Sequence, residues 1–221
     1  MTRNSKEKKT NKIKENKKRV NLFLLSSSSY VAAQLIANVL STKITLVPFL
    51  KLAVDGGTII YPLTFTLRDF VHKTHGKKDS RQVIIIAAAL NIVMFFLFWL
   101  VAKLPAEPSW RYQEAYEHIL LPVGRIVFAS IIAQVISELV DTEIFSVVYK
   151  KFNDLAAVFI SNFGGLVVDS VIFGLIAFLG ALPFSIVLQI IFTNILIKLI
   201  ISLASSPTIR LIPRMVSFEK I

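Results

Sequence analysis

Residues 155–180 read LAAVFISNFGGLVVDSVIFGLIAFLG, and this stretch decides the fold. A helix rises about 1.5 Å per residue, so the stretch is long enough to cross the roughly 30 Å hydrocarbon core of a bilayer. Asp169 is the only charged residue in it. Placing a charged acid in hydrocarbon costs free energy. The stretch therefore predicts a membrane helix whose Asp169 faces the interior of a bundle and has a functional role there.

The composition of the whole chain agrees with a membrane protein. Of its 221 residues, 54% are hydrophobic and 18% are charged, whereas a soluble domain carries about 25% charged residues. No alternating pattern of a membrane barrel is visible, and helices are then the element that can cross a bilayer with every backbone group paired. The sequence therefore predicts an all-α membrane protein.

The apolar stretches on either side of residues 155–180 predict a bundle of six transmembrane helices. Two spans are irregular, because residues 56–72 begin with Gly-Gly and contain Pro62, and residues 119–149 are long for one crossing. The six predicted spans cover residues 20–40, 56–72, 82–102, 119–149, 155–180 and 183–206. We expect a disordered basic tail over 1–19, a transmembrane domain over 20–207 and a C-terminal tail over 208–221.

The basic residues predict the orientation of this bundle. Nine of the 25 Lys and Arg residues lie within residues 3–19, in a polar segment of low complexity. With six spans and this tail in the cytoplasm, 19 basic residues face the cytoplasm and 4 face the opposite side. This bias predicts that both termini are cytoplasmic. It also explains the net charge of +11 without a nucleic-acid partner.

Polar residues recur on single faces of the predicted spans. Gln134, Glu138 and Asp141 share one face with Ser137, and Asn162 shares another with Asp169. Each charge at mid-membrane costs about 2.5–3.5 kcal/mol, so these groups either form ion pairs between helices or surround a small solute. The number of charges favours a solute site. The predicted substrate-binding residues are Asn38, Arg125, Gln134, Glu138, Asp141, Asn162, Asp169 and Lys198.

The sequence carries no pattern of an enzyme. It has no cysteine, its histidines lack a metal-ligand spacing, and it contains neither a nucleophile motif nor a glycine-rich phosphate loop. We therefore expect no catalytic activity, cofactor or metal. A non-transporting membrane scaffold remains as an alternative to a solute carrier.

Five stretches of the chain resemble the queuosine precursor transporter family, also called the vitamin uptake transporter family. They follow one another in the order of the spans, from about residue 30 to residue 215. The stretches are QLIANVLSTKI (34–44), GGTIIYPLTFTLRD with GKKDSRQVI (56–84), GRIVFASIIAQVISELVDTEIF (124–145), SNFGGLVVDSVIFGLIAFLG (161–180) and NILIKLIISLASSP (194–207).

The resemblance implies a six-helix importer of the inner or plasma membrane. Its substrates would be 7-deazaguanine bases, the precursors of queuosine and archaeosine. A carboxylate such as Asp169 or Glu138 would accept from the amine and ring N–H of the base, and an amide would serve its lactam oxygen. A stacking face would come from Phe163, Phe173 or Phe192.

The resemblance leaves the energy source and the assembly open. Asp169 and Asp141 could exchange protons and couple uptake to a proton gradient. The family also resembles the substrate-binding subunits of energy-coupling-factor vitamin importers, which work with a separate energising subunit. This alternative and a homo-oligomer both fit the sequence.

Overall fold

The computed structural model describes residues 3–48, 50–149 and 154–205. Seven α-helices make up most of these residues, which confirms the predicted all-α class. A small β-hairpin and a 3-10 helix separate the first two helices and were not predicted. In chain order the elements are α1 Arg3–Leu40, β1 Ile44–Leu46, β2 Ala53–Asp55, the 3-10 helix Gly56–Ile59, α2 Tyr61–His75, α3 Lys77–Lys103, α4 Gln113–Leu120, α5 Val123–Tyr149, α6 Asp154–Phe178 and α7 Phe184–Ser205.

Helix α1 begins at Arg3, in the basic segment for which the sequence predicted disorder. Lysine, arginine and glutamate are good helix formers, and extending a helix that already exists avoids the cost of starting a new one. The boundary at residue 19 stays a prediction. The predicted C-terminal tail, residues 208–221, lies outside the described residues.

Within the described residues, four helical stretches are long and apolar enough to cross a membrane. They correspond to the first, third, fourth and sixth predicted spans. The fifth predicted span lies on α6, whose apolar part, Phe163–Phe178, is shorter. The four stretches are Val20–Leu40, Lys78–Lys103, Gln113–Ser137 and Phe184–Ile201. The chain is therefore a multi-helix membrane bundle, while the number six and the orientation of the termini stay predictions.

The second predicted span, residues 56–72, consists of the 3-10 helix and most of the short helix α2, and a hairpin precedes it. Strands β1 and β2 pair antiparallel, with Ile44 opposite Asp55, and every residue of β2 is buried. Pro62 is the second residue of α2, where a proline is tolerated because the first N–H groups of a helix have no partner within it. Extended backbone of this kind is acceptable at membrane depth only where protein surrounds it.

The fourth predicted span is divided. Helix α4 ends at Leu120 and α5 begins at Val123, with Pro122 between them. Proline cannot continue a helix but suits the start of the next one. Helix α5 then packs along α6 through alanines, including the fully buried Ala129 and Ala133, and small residues of this kind let membrane helices approach closely.

Within the part of the chain that the structure describes, two apolar clusters hold the bundle together. The first joins α5, α6 and α7 through Ile126, Phe173 and Val187. The second joins α1, α2 and α3 around the buried Tyr30 and Val71. Polar side chains are buried alongside both clusters, on the inward faces of the helices.

Two glycines let the 3-10 helix lie directly on the last turn of α1. The Gly56 N–H donates to the Lys43 carbonyl at 2.8 Å, and a Cβ at Gly56 would lie 2.6 Å from the Leu40 carbonyl oxygen. A Cβ at Gly57 would collide with the Ala37 carbonyl oxygen and the Ser41 hydroxyl. This close approach fixes where β2 and the start of α2 sit.

Gly57→Ala should destabilise the protein by about 1–3 kcal/mol, because the added methyl group forces backbone apart in a packed site. Thermal unfolding of the purified protein in detergent, followed by size-exclusion chromatography, measures the loss. Gly180→Ala is the control: Gly180 has φ 83° but nothing near its Cβ position, so that variant carries backbone strain of about 1 kcal/mol without a collision. Equal stability of Gly57→Ala and wild type would contradict the close approach.

Candidate functional site

Among the described residues, four groups of buried polar side chains join the elements of the bundle. We call them the ion pair, the Asp55 group, the asparagine group and the Tyr30 group. Each of them joins at least two elements of the bundle. Each is defined by its contacts below.

The ion pair joins α7 to α6. Lys198 Nζ lies 2.7 Å from Asp169 Oδ2, with 3% and 6% of the two side chains exposed. Lys198 also donates to Ser170 Oγ at 3.3 Å and lies 4.7 Å from the centre of the Tyr61 ring. Pairing, hydrogen bonding and the ring face together reduce the cost of burying two charges.

The Asp55 group joins the hairpin to α1 and α7. Ser41 Oγ lies 2.6 Å from Asp55 Oδ1, while Thr58 Oγ1 and Asn194 Nδ2 lie 2.8 and 2.9 Å from Oδ2. Thr58 Oγ1 is also 2.5 Å from Asn194 Oδ1. Asp55 is 2% exposed, and no basic side chain in the described part of the chain pairs with it.

The asparagine group joins α1, α3 and α5. Asn38 Nδ2 donates to Asn91 Oδ1 at 2.6 Å, and Ser130 Oγ donates to Asn38 Oδ1 at 2.8 Å. Asn91 in turn donates to the Ala87 carbonyl at 2.9 Å. Both ends of the Asn38 amide therefore have a partner, and its orientation is fixed.

The Tyr30 group joins α1 to α5. Gln34 Nε2 and Gln134 Nε2 lie 3.2 and 3.4 Å from the Tyr30 hydroxyl oxygen. Tyr30 is 2% exposed, so the hydroxyl is held deep between the helices. Two amide groups converging on one phenol leave their carbonyl oxygens available to other donors.

Three adjoining hollows lie between these groups. The first runs from the Asp55 group to Lys198, with Asn38, Tyr61 and Phe173 in its wall. The second lies beside Asp169 and Gln134 and shares Tyr61 with the first. The third lies beside Asn91 and shares Asn38 with the first and Gln134 with the second. The free space in the first is about 10 Å³, close to the least that holds one water molecule, so the bundle is closed.

Four of the eight predicted substrate-binding residues come together around these hollows. Asn38 and Lys198 line the first, and Gln134 and Asp169 line the second. The spacing along each helix predicts that these four side chains face the interior of the bundle. It does not predict that they lie close to one another, which follows from the packing of α1, α5, α6 and α7.

The structure does not bring Arg125 to the hollows. Its Nε donates to the Ile176 carbonyl at 2.6 Å, and its terminal nitrogen donates to the Leu179 carbonyl. These carbonyls lie at the C-terminal end of α6. The last carbonyl groups of a helix have no N–H partner within the helix, and this end of the helix favours a nearby cation. Arg125, an exposed residue, therefore caps α6.

The other three predicted residues are Glu138, Asp141 and Asn162. Glu138 and Asp141 lie on α5 and Asn162 lies on α6, but their side chains fall outside the described part of the structure.

Asp55 is the main residue that sequence reasoning missed. The six predicted spans leave out residues 41–55, because Lys43, Pro48, Lys51 and Asp55 make this segment too polar and broken to cross a bilayer as a helix. The sequence feature that indicates its burial is the Gly-Gly pair that follows it. Non-helical backbone beside a predicted span occurs where it lines a cavity, and a carboxylate at that point is a candidate for the cavity wall.

Fold and site together define a multi-pass α-helical membrane protein with hydrogen-bonding groups gathered inside its bundle. A family model described as "Putative vitamin uptake transporter" matches residues 55–212, and the chain belongs to this family. The chain is also 26% identical over 155 residues to the "Probable queuosine precursor transporter" of Bacillus subtilis (strain 168), covering 68% of each chain. No solved structure matches it significantly.

Membership of this family confirms several predictions from the sequence. The protein is a transporter and not an enzyme, and it is a multi-pass protein of the cell membrane. A small-molecule substrate and a lipid environment follow from this class.

The ion pair makes a prediction about stability. Lys198→Met should destabilise the protein by about 3–5 kcal/mol, because it removes the cation that lies 2.7 Å from the buried Asp169 carboxylate. Adding Asp169→Leu should recover most of this loss, since a well-packed apolar pair replaces a buried ion pair at little cost. Unfolding of both single variants and the double variant in detergent measures the coupling. Additive losses would show that the two charges do not depend on each other.

Proposed function

We propose that this chain imports a 7-deazaguanine precursor of queuosine or archaeosine across the cell membrane. The observation that carries the proposal is the arrangement of Asp169, Asn38 and Gln134 around adjoining hollows, whose walls also include three aromatic rings. The family and the printed name of the Bacillus subtilis relative point to the same class of solute.

The polar groups match the hydrogen-bonding edge of such a base. A deazaguanine offers an amine and a ring N–H as neighbouring donors, and a carboxylate accepts both with its two oxygens. Asp169 Oδ2 is held by Lys198, which directs the carboxylate towards the second hollow. The amides of Gln134 and Asn38 can donate to the lactam oxygen and accept from N–H groups of the base.

The first hollow also offers ring faces for stacking. Of the three phenylalanines considered from the sequence, Phe173 is buried and lines the first hollow, while Phe163 and Phe192 are 43% and 58% exposed. The Phe173 ring meets Phe178 edge-on, with centroids 5.7 Å apart. Phe178 therefore supports Phe173 from the side and leaves a face for a flat base.

Transport by this site requires the helices to part. The hollows are too small for a base in the closed conformation, and a small-molecule site normally encloses about 300 Å³ or more. Entry of the base from either side therefore needs a rearrangement that separates α7 or the hairpin from the rest of the bundle. Alternating opening of this kind around a central site is the usual mechanism of secondary transporters.

No observation favours the alternatives left open by the sequence. A scaffold has no need for hydrogen-bonding hollows between its helices, and both comparisons name transporters. An energising subunit would have to bring its own nucleotide site, because this chain has no nucleotide-binding motif.

Phe173→Leu should raise the KM for the base roughly tenfold, because stacking on an aromatic ring contributes about 1–3 kcal/mol per base. The measurement is uptake of tritiated 7-deazaguanine by cells that lack their own carrier and their own synthesis of the base. Incorporation of queuosine into tRNA by the same cells provides a second readout when a natural precursor is supplied.

Phe192→Leu is the matched control, since it makes the same chemical change on an exposed face of α7 and should leave KM unchanged. Arg125→Gln is the second control: it loosens the end of α6 and should lower the amount of folded protein without changing KM. Uptake no faster with this chain than without it would refute the proposed function. Equal KM values for the two phenylalanine variants would refute the stacking site.

A further inference from the structure

Polar side chains line the second hollow throughout. Each of its eight described lining residues carries a hydrogen-bonding side chain, whereas the first hollow also contains Ala37, Gly57 and Phe173. The eight side chains come from four helices, α1, α2, α5 and α6. The second hollow therefore suits the hydrogen-bonding edge of a base, and the first hollow suits its ring face.

Two side chains of opposite charge face the second hollow from different helices. Asp169 approaches from α6 and Arg68 from α2. Tyr61, Thr64 and Arg68 follow one another at i, i+3 and i+7, which is one face of α2, and all three line the hollow. Lys198, the partner of Asp169, lines the first hollow. Among the described residues that line the second hollow, Arg68 is the basic one.

Other donors at the second hollow already have an acceptor inside the protein. The Thr64 hydroxyl donates to the Tyr61 carbonyl at 2.6 Å, and the Ser137 hydroxyl donates to the Gln134 carbonyl at 3.0 Å. Two amide nitrogens lie 3.2 and 3.4 Å from the Tyr30 hydroxyl oxygen. An acceptor on a bound solute would compete with these contacts.

The guanidinium group of Arg68 is different, because it carries five N–H donors in a planar fork and no acceptor. It can keep its contacts within the protein and donate to a solute at the same time. Arg68 is half-buried, and a hydrogen bond from a charged donor is stronger where bulk water is excluded. Arg68 is therefore the donor best suited to hold an acceptor of the solute.

We propose that Arg68 donates to the lactam oxygen of the base and so makes the carrier select bases that have an oxygen at this position. The proposal rests on the proposed function, because it adds a specificity-determining residue to the same site. Asp169 accepts from the amine and the ring N–H, and Arg68 donates to the oxygen next to that N–H. The amides of Asn38 and Gln134 then serve the remaining nitrogens of the base.

The positions of the two charges determine which base fits. A base with an amine in place of the lactam oxygen offers a donor to Arg68, which itself only donates. The adjacent ring nitrogen of such a base has no hydrogen, so it offers an acceptor to Asp169. A site built to hydrogen-bond one substrate group rejects analogues that leave its buried polar groups unpaired. The two charges therefore favour guanine-like over adenine-like bases.

Competition for uptake tests the contact between Arg68 and the oxygen. Cells that lack their own carrier and their own synthesis of the base take up tritiated 7-deazaguanine, and unlabelled bases compete with it. One competitor is 7-deazaguanine and the other is its 6-thio analogue. The analogue keeps the amine and the ring N–H for Asp169 but replaces the oxygen by sulfur, a weaker acceptor. In wild type the analogue should compete at least severalfold more weakly.

Arg68→Met should remove this preference. Its apparent affinity for 7-deazaguanine should fall roughly tenfold or more, which is the effect of losing a hydrogen bond to a charged group. Its affinity for the thio analogue should change much less, so the ratio of the two affinities should approach one. Comparing both bases in both proteins isolates this contact from other effects of the substitution.

Two further variants complete the experiment. Arg111→Met is the matched control, because it makes the same chemical change at an exposed residue between α3 and α4 and should keep the wild-type ratio. Arg68→Lys keeps a positive charge in the bundle and decides the question if Arg68→Met does not reach the membrane. Lysine lacks the planar fork of N–H groups, so this variant should also lower the ratio.

The outcomes separate the two proposals. A wild-type ratio in Arg68→Met, or an equal loss of affinity for both bases, overturns the role of Arg68, because an equal loss is what a purely structural residue produces. A wild-type ratio in Arg68→Lys does the same where Arg68→Met is absent from the membrane. Equal competition by the two bases in wild type overturns the contact and leaves the proposed function standing. Absence of uptake by wild type refutes the proposed function itself, and this inference falls with it.

Discussion

The structure depends on one constraint: a polar group inside a membrane bundle must find its partner within the protein. The cost of an unpaired charge at this depth is several kcal/mol. The chain meets it twice for its described buried acids, once with Lys198 at 2.7 Å from Asp169 and once with hydroxyl and amide groups around Asp55. Both solutions draw on α7, so the position of this helix is set by polar contacts as well as by packing.

The same constraint explains the irregular segment between α1 and α2. A continuous helix there would keep its backbone groups paired but could not bring Asp55 and Thr58 to face Asn194 of α7. A hairpin and a 3-10 helix do so, because their backbone is sheltered by α1 and α7. Gly56 and Gly57 are needed because this segment touches the backbone of α1. The irregular backbone and the polar site are therefore one feature.

Sequence reasoning recovered what depends on local pattern. The apolar run of α6 and the inward face of Asp169 follow from length and helical spacing, and both could be predicted from the sequence. The position of Arg125 could not, because its partners are backbone carbonyls 51 and 54 residues away. Asp55 was missed for a related reason. Its burial depends on a short hairpin whose polar residues resemble an exposed connection, and only packing against α7 shows otherwise.

The two buried acids differ in their partners, because Asp169 pairs with a cation while Asp55 contacts hydroxyl and amide groups. An ion pair keeps the charge of Asp169 in place, so a donor on a solute can exchange with Lys198 without a change in the net charge of the site. Both sets of contacts include a side chain of α7, Lys198 for Asp169 and Asn194 for Asp55, so a movement of this helix alters both.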